Sequence, residues 1–215
     1  MAGRLMIQPA MATFSFRKHN IQSTVYTRGM TYHSEILENE ELARWFLDEG
    51  ADPNLGAPTY GSIQRDSPAI PNSGQALNSA ACLPDHTMFD LLVERGAKLE
   101  NCIALHYAAG SGRTDLERIS MMTHLIDLGF DANELDDIAG AYKRGTPLHY
   151  AVRSKKLESI RFLLERGADP HLQNQWGETA AEEAVKRDYA DAVELFESET
   201  SWVVFPKKGP SGEMR

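Results

Sequence analysis

The sequence predicts an all-α solenoid of about five helix–turn–helix units joined by irregular loops. A turn written Gly-Ala-Asp, or a near copy, follows an apolar helix end at Gly50-Ala51-Asp52, Gly96-Ala97, Gly129-Phe130-Asp131 and Gly167-Ala168-Asp169. A second short pattern, Leu-His-Tyr-Ala, occupies 105–108 and returns at 148–151. Copies lie 33 residues apart from Gly96 to Gly129 and again from Thr146 to Thr179, a period typical of stacked helix pairs.

Taken in order, the first unit opens on Thr31-Tyr32-His33-Ser34 and closes with Trp45-Phe46-Leu47 before Gly50. That start departs from the others, as a terminal unit should. The second holds Ala76-Leu77-Asn78-Ser79-Ala80-Ala81, with Asn78 where later units have histidine, and Leu91-Leu92-Val93 before Gly96. The 46 residues from Gly50 to Gly96 exceed the period because of an insertion, 56–74, rich in Gly, Pro, Ser and Asn, which are loop formers. The third unit runs from Ala104-Leu105-His106-Tyr107-Ala108-Ala109 to Leu125-Ile126. The fourth begins at Thr146-Pro147-Leu148-His149-Tyr150-Ala151 and ends at Phe162-Leu163-Leu164, 38 residues separating Gly129 from Gly167. The fifth starts at Thr179-Ala180-Ala181 and ends near Phe196.

Local physics supports each unit. Pro147 suits a first helical turn, where the missing N–H costs nothing, and Thr146 suits the cap before it. Ala80, Ala108, Ala151 and Ala184 are small where the first helix must approach its neighbours. Ile160, Leu163 and Leu164 give the second helix an apolar stripe. A lone helix pair leaves that stripe wet; stacked copies cover it.

Residues 146–151 and 162–170 resemble the ankyrin-repeat family, whose signature is T-P-L-H-x-A followed by a leucine pair before G-A-D. The resemblance covers roughly 30–198, strong in the last three units and partial in the first two. It implies an ankyrin solenoid in which His106 and His149 tie adjacent loops together by hydrogen bonds. It also implies a scaffold or adaptor, not an enzyme, that meets a protein partner on a concave face of loop tips and exposed first-helix sides. The expected organisation is an N-terminal extension (1–29), the repeat domain (30–198) and a C-terminal tail (199–215). In the last unit Glu182, Glu183, Lys186, Arg187, Asp188, Asp191 and Glu194 read as a solvated outer face. Trp202-Val203-Val204-Phe205 is apolar enough to fold back on the final helices.

Composition narrows the partners. The chain has 215 residues, 42% hydrophobic and 25% charged, with a net charge of −9. Such a balance repels phosphate backbones and anionic lipid, so neither nucleic acid nor membrane is expected, and no basic patch, for example around Lys143 and Arg144, should be extensive. Cys82 and Cys102 cannot staple a chain this long and read as reduced thiols, which points to an intracellular, cytoplasmic or nuclear protein. No apolar run approaches the ~18 residues of a membrane span. The first 34 residues lack carboxylates, which fits a transit peptide but also an irregular extension. A monomer is expected.

No residue set carries catalysis, a cofactor or a metal. His33, His86, His124 and His171 lack an i+3 or i+4 partner of ligand type. Cys82, Asp85 and His86 are close in sequence, but Pro84 breaks any helix that would align them. Gly110-Ser111-Gly112-Arg113-Thr114 lacks a phosphate-loop frame and reads as an inter-helix turn. Asp52, Asp131 and Asp169 occupy one repeated turn position, where a carboxylate bonds nearby backbone N–H groups.

Binding then falls to positions that packing leaves open. By repeat register these are Tyr142, Lys143 and Arg144 before the fourth unit, Gln175, Trp176 and Glu178 before the fifth, and Tyr107, Tyr150 and Arg153 on the first helices. Aromatic and arginine side chains carry most interface energy. The alternative is a small-molecule ligand, bound or transformed in a pocket roofed by the insertions, with His33, Arg65, Asp85 and His106 joining Tyr107, Tyr150 and Arg153. A bare fragment of a longer array is a third reading.

Overall fold

The computed structural model describes residues 37–56, 70–136 and 145–200. Among these the fold is all-α, with nine helices and one two-residue strand pair. The chain forms two compact units, Met1–Ala104 and Leu105–Arg215. No helix among the described residues is long and apolar enough to cross a membrane.

In the first unit, α1 (Glu40–Asp48) starts at Asn39, whose side chain accepts from the Leu42 amide. Glu40 and Glu41 lie in its first turn, where the positive end of the helix dipole favours carboxylates. Beyond Gly50, Asp52 accepts from the Asn54 amide at 2.8 Å. β1 (Leu55–Gly56) then pairs antiparallel with β2 (Ile70–Pro71), Leu55 opposite Pro71. The insertion expected to be wholly loop is thus closed at its base by backbone pairing; residues 57–69 lie outside the described residues. Helices α2 (Gln75–Ala80) and α3 (Thr87–Glu94) pack together over Leu77, Ala80, Phe89 and Leu91, all essentially inaccessible. Gly74 sits at φ +61°, and a Cβ there would lie 2.0 Å from the Asn101 carbonyl oxygen. Only glycine permits that approach. A short 3-10 turn, Leu99–Asn101, follows α3.

In the second unit, α4 (Ala104–Gly110) and α5 (Asp115–Asp127) are joined by the turn 111–114. There Thr114 and Glu117 form a capping box, satisfying two N–H groups of the α5 start. The expected inter-helix turn at Gly110–Thr114 is confirmed. α6 (Pro147–Arg153) and α7 (Leu157–Glu165) form the next pair, and α8 (Ala180–Lys186) and α9 (Ala190–Thr200) the last. First helices stack on first and second on second: α6 lies on α8, and α7 on both α5 and α9. Leu105, Met122, Leu125, Leu148, Val152, Ile160 and Leu163 are buried between them. Burial of one such side chain contributes about 1.5–3 kcal/mol, so the stack gains what no isolated pair could.

Asparagine clamps hold successive turns. Asn133 Nδ2 donates to the Gly167 carbonyl (3.0 Å), and the Asp169 amide donates to Asn133 Oδ1 (2.6 Å). Asn54 does the same for Gly96 and Lys98. Asp131 and Asp169 accept from the Asn133 and His171 amides at 2.8 Å, as Asp52 does from Asn54. Their expected role as turn acceptors is therefore correct.

Residues 1–36, including the Thr31–Ser34 start, and the Trp202–Phe205 segment lie outside the described residues. One further expectation needs correction. His86 does have an i+4 partner, because it ends the turn before α3 and its Nδ1 reaches Asp90 Oδ2 at 2.8 Å.

Candidate functional site

The repeat register builds the site column by column. His106 on α4 and His149 on α6 point into the stack and are almost wholly buried. His149 Nε2 donates to the Glu178 carbonyl (3.1 Å), while its Nδ1 accepts from the amide (3.2 Å) and hydroxyl (2.9 Å) of Thr146. A carbonyl can only accept, so the proton sits on Nε2 and the ring is neutral. His106 Nε2 likewise donates to the Glu134 carbonyl at 2.9 Å. The residue three before it is Ile103, not threonine, and His106 Nδ1 is buried without a hydrogen-bond partner. Burial pushes the His106 imidazole down to about 4 and lowers His149 as well. Both histidines tie adjacent loops, as the resemblance implied. In the first unit Asn78 stands in the same register and accepts from the Ile103 amide at 2.8 Å. In the last repeat Glu182 takes the histidine's place and instead closes a capping box with Thr179.

The next column holds Tyr107, Tyr150 and Glu183. Tyr150 donates to Asp136 Oδ2 (2.7 Å), and the other oxygen of this fully buried carboxylate accepts from the Gly145 amide (2.7 Å). Burial, reinforced by that bond, raises the Tyr150 phenol above its ordinary range. Its ring packs edge-on against His106 at 5.2 Å and tilted against Tyr107 at 6.5 Å. The Arg153 guanidinium lies over its face, 5.0 Å from the centroid. Arg153 also holds Glu183 with two N–H groups (2.8 and 3.3 Å), and Arg187 donates to the same carboxylate at 2.9 Å. A carboxylate shared by two guanidiniums can remain charged while buried.

Glu183 is a correction. It was placed on a solvated face, but it is buried, because Arg153, thirty residues earlier, reaches it across the stack. The signal was available: aligning Thr146 with Thr179 puts Glu183 in the tyrosine column. Asp136 escaped sequence reading altogether, since its partners are set by stacking. So did Arg118, a buried arginine of α5 that bonds Asp115, the Arg113 carbonyl and the equally buried Ser159 of α7.

Trp176 stands apart from this network, on the hairpin tip before α8. Buried Asn174 accepts from the Trp176 (2.9 Å) and Glu178 (3.1 Å) amides, its own amide donates to the Glu178 carbonyl, and Gln173 bridges Thr179. The tip is rigid, yet Trp176 is 59% exposed, and Gln175 beside it is also exposed. The tryptophan does not cover a seam. Glu178 bonds Lys186 at 2.8 Å, which lowers its carboxyl. Tyr107 is 40% exposed.

The predicted residues therefore divide. His106, Tyr107, Tyr150 and Arg153 are brought together, and Gln175, Trp176 and Glu178 share the neighbouring tip. Asp85 lies in the other unit, in the turn before α3, where its hydrogen bonds with Thr87 lower its carboxyl. His33, Arg65, Tyr142, Lys143 and Arg144 lie outside the described residues.

A family model described as "Ankyrin repeats (3 copies)" matches residues 116–201. The chain is an ankyrin-repeat protein. It is 41% identical over 83 residues to human transient receptor potential cation channel subfamily A member 1, covering 36% of this chain and 7% of that one. It is 34% identical over 84 residues to mouse 2-5A-dependent ribonuclease, covering 34% and 11%. Against FPV240, a fowlpox virus protein named for its ankyrin repeats, identity is 31% over 140 residues, covering 62% and 28%. The chain thus spans less than a third of each of these relatives. Ankyrin repeats generally mediate protein–protein interaction and are generally non-catalytic.

Proposed function

We propose that this ankyrin chain is an adaptor that binds a protein partner through the loop tips and open first-helix positions of residues 105–200. Trp176 carries the reading: a large aromatic held out on a rigid turn, with no packing duty. Binding through a preorganised side chain avoids the cost of ordering it, and tryptophan is among the residues that dominate interfaces. Tyr107, Gln175 and Glu178 extend the surface. Tyr150 and Arg153 support it from beneath, and Tyr142, Lys143 and Arg144 belong to the connection just before α6. The partner role rests on what this fold usually does.

Trp176→Ala should change unfolding free energy by no more than about 0.5 kcal/mol, because the ring is exposed. It should weaken capture of the partner about tenfold or more. Quantitative co-purification with the native and variant chains reads this, and unaltered recovery of every captured protein would refute the surface.

The pocket alternative is not favoured. The polar atoms of Tyr150, Arg153 and Asp136 are engaged by one another and by Glu183 and Gly145, which leaves little polar capacity for a ligand.

A further inference from the structure

We propose that the edge made by the inter-helix turns of residues 105–200 receives an extended acidic segment of a protein partner, with a carboxylate near every third residue. This rests on the adaptor reading and names the chemistry of its partner. The net charge of −9 predicts no extensive basic patch, yet stacking gathers one. The three turns after α4, α6 and α8 carry Arg113, then Lys155 and Lys156, then Arg187, with Arg153 and Lys186 at the helix ends just before them.

Direct contacts place these turns side by side. A Cβ on Gly110 would lie 3.0 Å from Ser154 Oγ and 3.3 Å from the Tyr150 carbonyl oxygen, so the first turn abuts the second. Lys155 Nζ sits 5.8 Å from the Tyr189 ring centroid, and Arg153 shares Glu183 with Arg187, so the second abuts the third. The carboxylates are unevenly placed. Glu183 lies beneath the surface, Asp115 turns to Arg118, and Glu158 to Arg161. Glu178, beside Lys186, and Asp188 remain outward, against exposed Lys155, Lys186 and Arg187. The outer layer of this edge is cationic although the chain is acidic.

Geometry sets the spacing. Packed helices lie roughly 8–10 Å apart, and an extended peptide advances about 3.3 Å per residue. A carboxylate at every third position would therefore meet one turn after another. A nucleic acid is disfavoured on two counts: the negative field of the whole chain repels a polyphosphate, and three helices present their C-terminal, negative ends here.

The test uses the full chain and three fluorescein-labelled peptides in a glycine-serine background: glutamate at every third residue, the same glutamates in one block, and glutamine at every third residue. Fluorescence anisotropy should show salt-sensitive binding of the first, several-fold weaker binding of the second and none of the third. Lys155→Gln with Lys186→Gln should weaken the first peptide about tenfold, whereas arginine at both positions should preserve binding. Equal binding of the glutamine peptide, no preference for periodic over block glutamate, or an unchanged double glutamine variant would overturn the proposal. So would tighter binding of a polyuridylate oligonucleotide than of any peptide. If Trp176→Ala weakens partner capture while the periodic peptide fails to bind, the acidic partner is refuted and the adaptor surface stands. The reverse pattern supports the basic edge and refutes the aromatic surface.

Discussion

Asp136 shows how a single buried charge is tolerated. Its two oxygens each receive a short hydrogen bond, one from a backbone amide and one from a phenol. Asp136→Ala strands both donors in the interior. Each buried, unsatisfied group costs about 1–3 kcal/mol, so unfolding free energy should fall by roughly 2–4 kcal/mol. The Tyr150 phenol, raised by burial and by the Asp136 bond, should also titrate at lower pH in the variant. Ultraviolet titration of tyrosinate follows this directly, and an unmoved phenol would mean the hydrogen bond is not made. Arg153 and Glu183 follow the same logic from the other side of the tyrosine ring.

Among elements, α5 is the longest described helix and depends visibly on its first turn. Leu116 is 81% exposed there, so apolar burial does little to fix the helix start and the Thr114–Glu117 box must do so. Thr114→Ala should cost about 1 kcal/mol of stability, measured by urea denaturation; a change under a few tenths would show the cap to be dispensable. The helices and their turns were legible in the sequence because their signals are local: Pro147 after Thr146, glycine after an apolar helix end, aspartate two residues before the amide it accepts from. The loop-tying histidines were legible because the motif containing them is specific. What was not legible depends on residues far apart in the chain. Glu183 looks solvated when read along its own helix, and only Arg153 on the preceding first helix makes it a buried group. Asp136 and Arg118 are hidden for the same reason, and the strand pair closing the insertion joins segments fourteen residues apart.

At the scale of the whole molecule, buried neutral histidines make stability depend on acid. His106 titrates at about 4 in the folded protein and near 6.5 unfolded. The unfolded chain therefore takes up the proton first as pH falls. The stabilisation is complete above about pH 6.5 and is lost progressively down to about pH 4, at a cost of roughly 3 kcal/mol from this group. His149 acts in the same direction. Chemical denaturation at about pH 7.5 and about pH 5 should give a clearly smaller free energy at the lower value, and His106→Gln should flatten the difference; equal stabilities for the native chain would contradict a neutral buried imidazole. The asparagine between the last turns governs another kind of resistance. Because Asn133 grips both the Gly167 carbonyl and the Asp169 amide, a force drawing the chain lengthwise loads two bonds together in shear instead of peeling them one after the other. Under tension those turns would give way as a single step, so the array would come apart in blocks wider than one repeat.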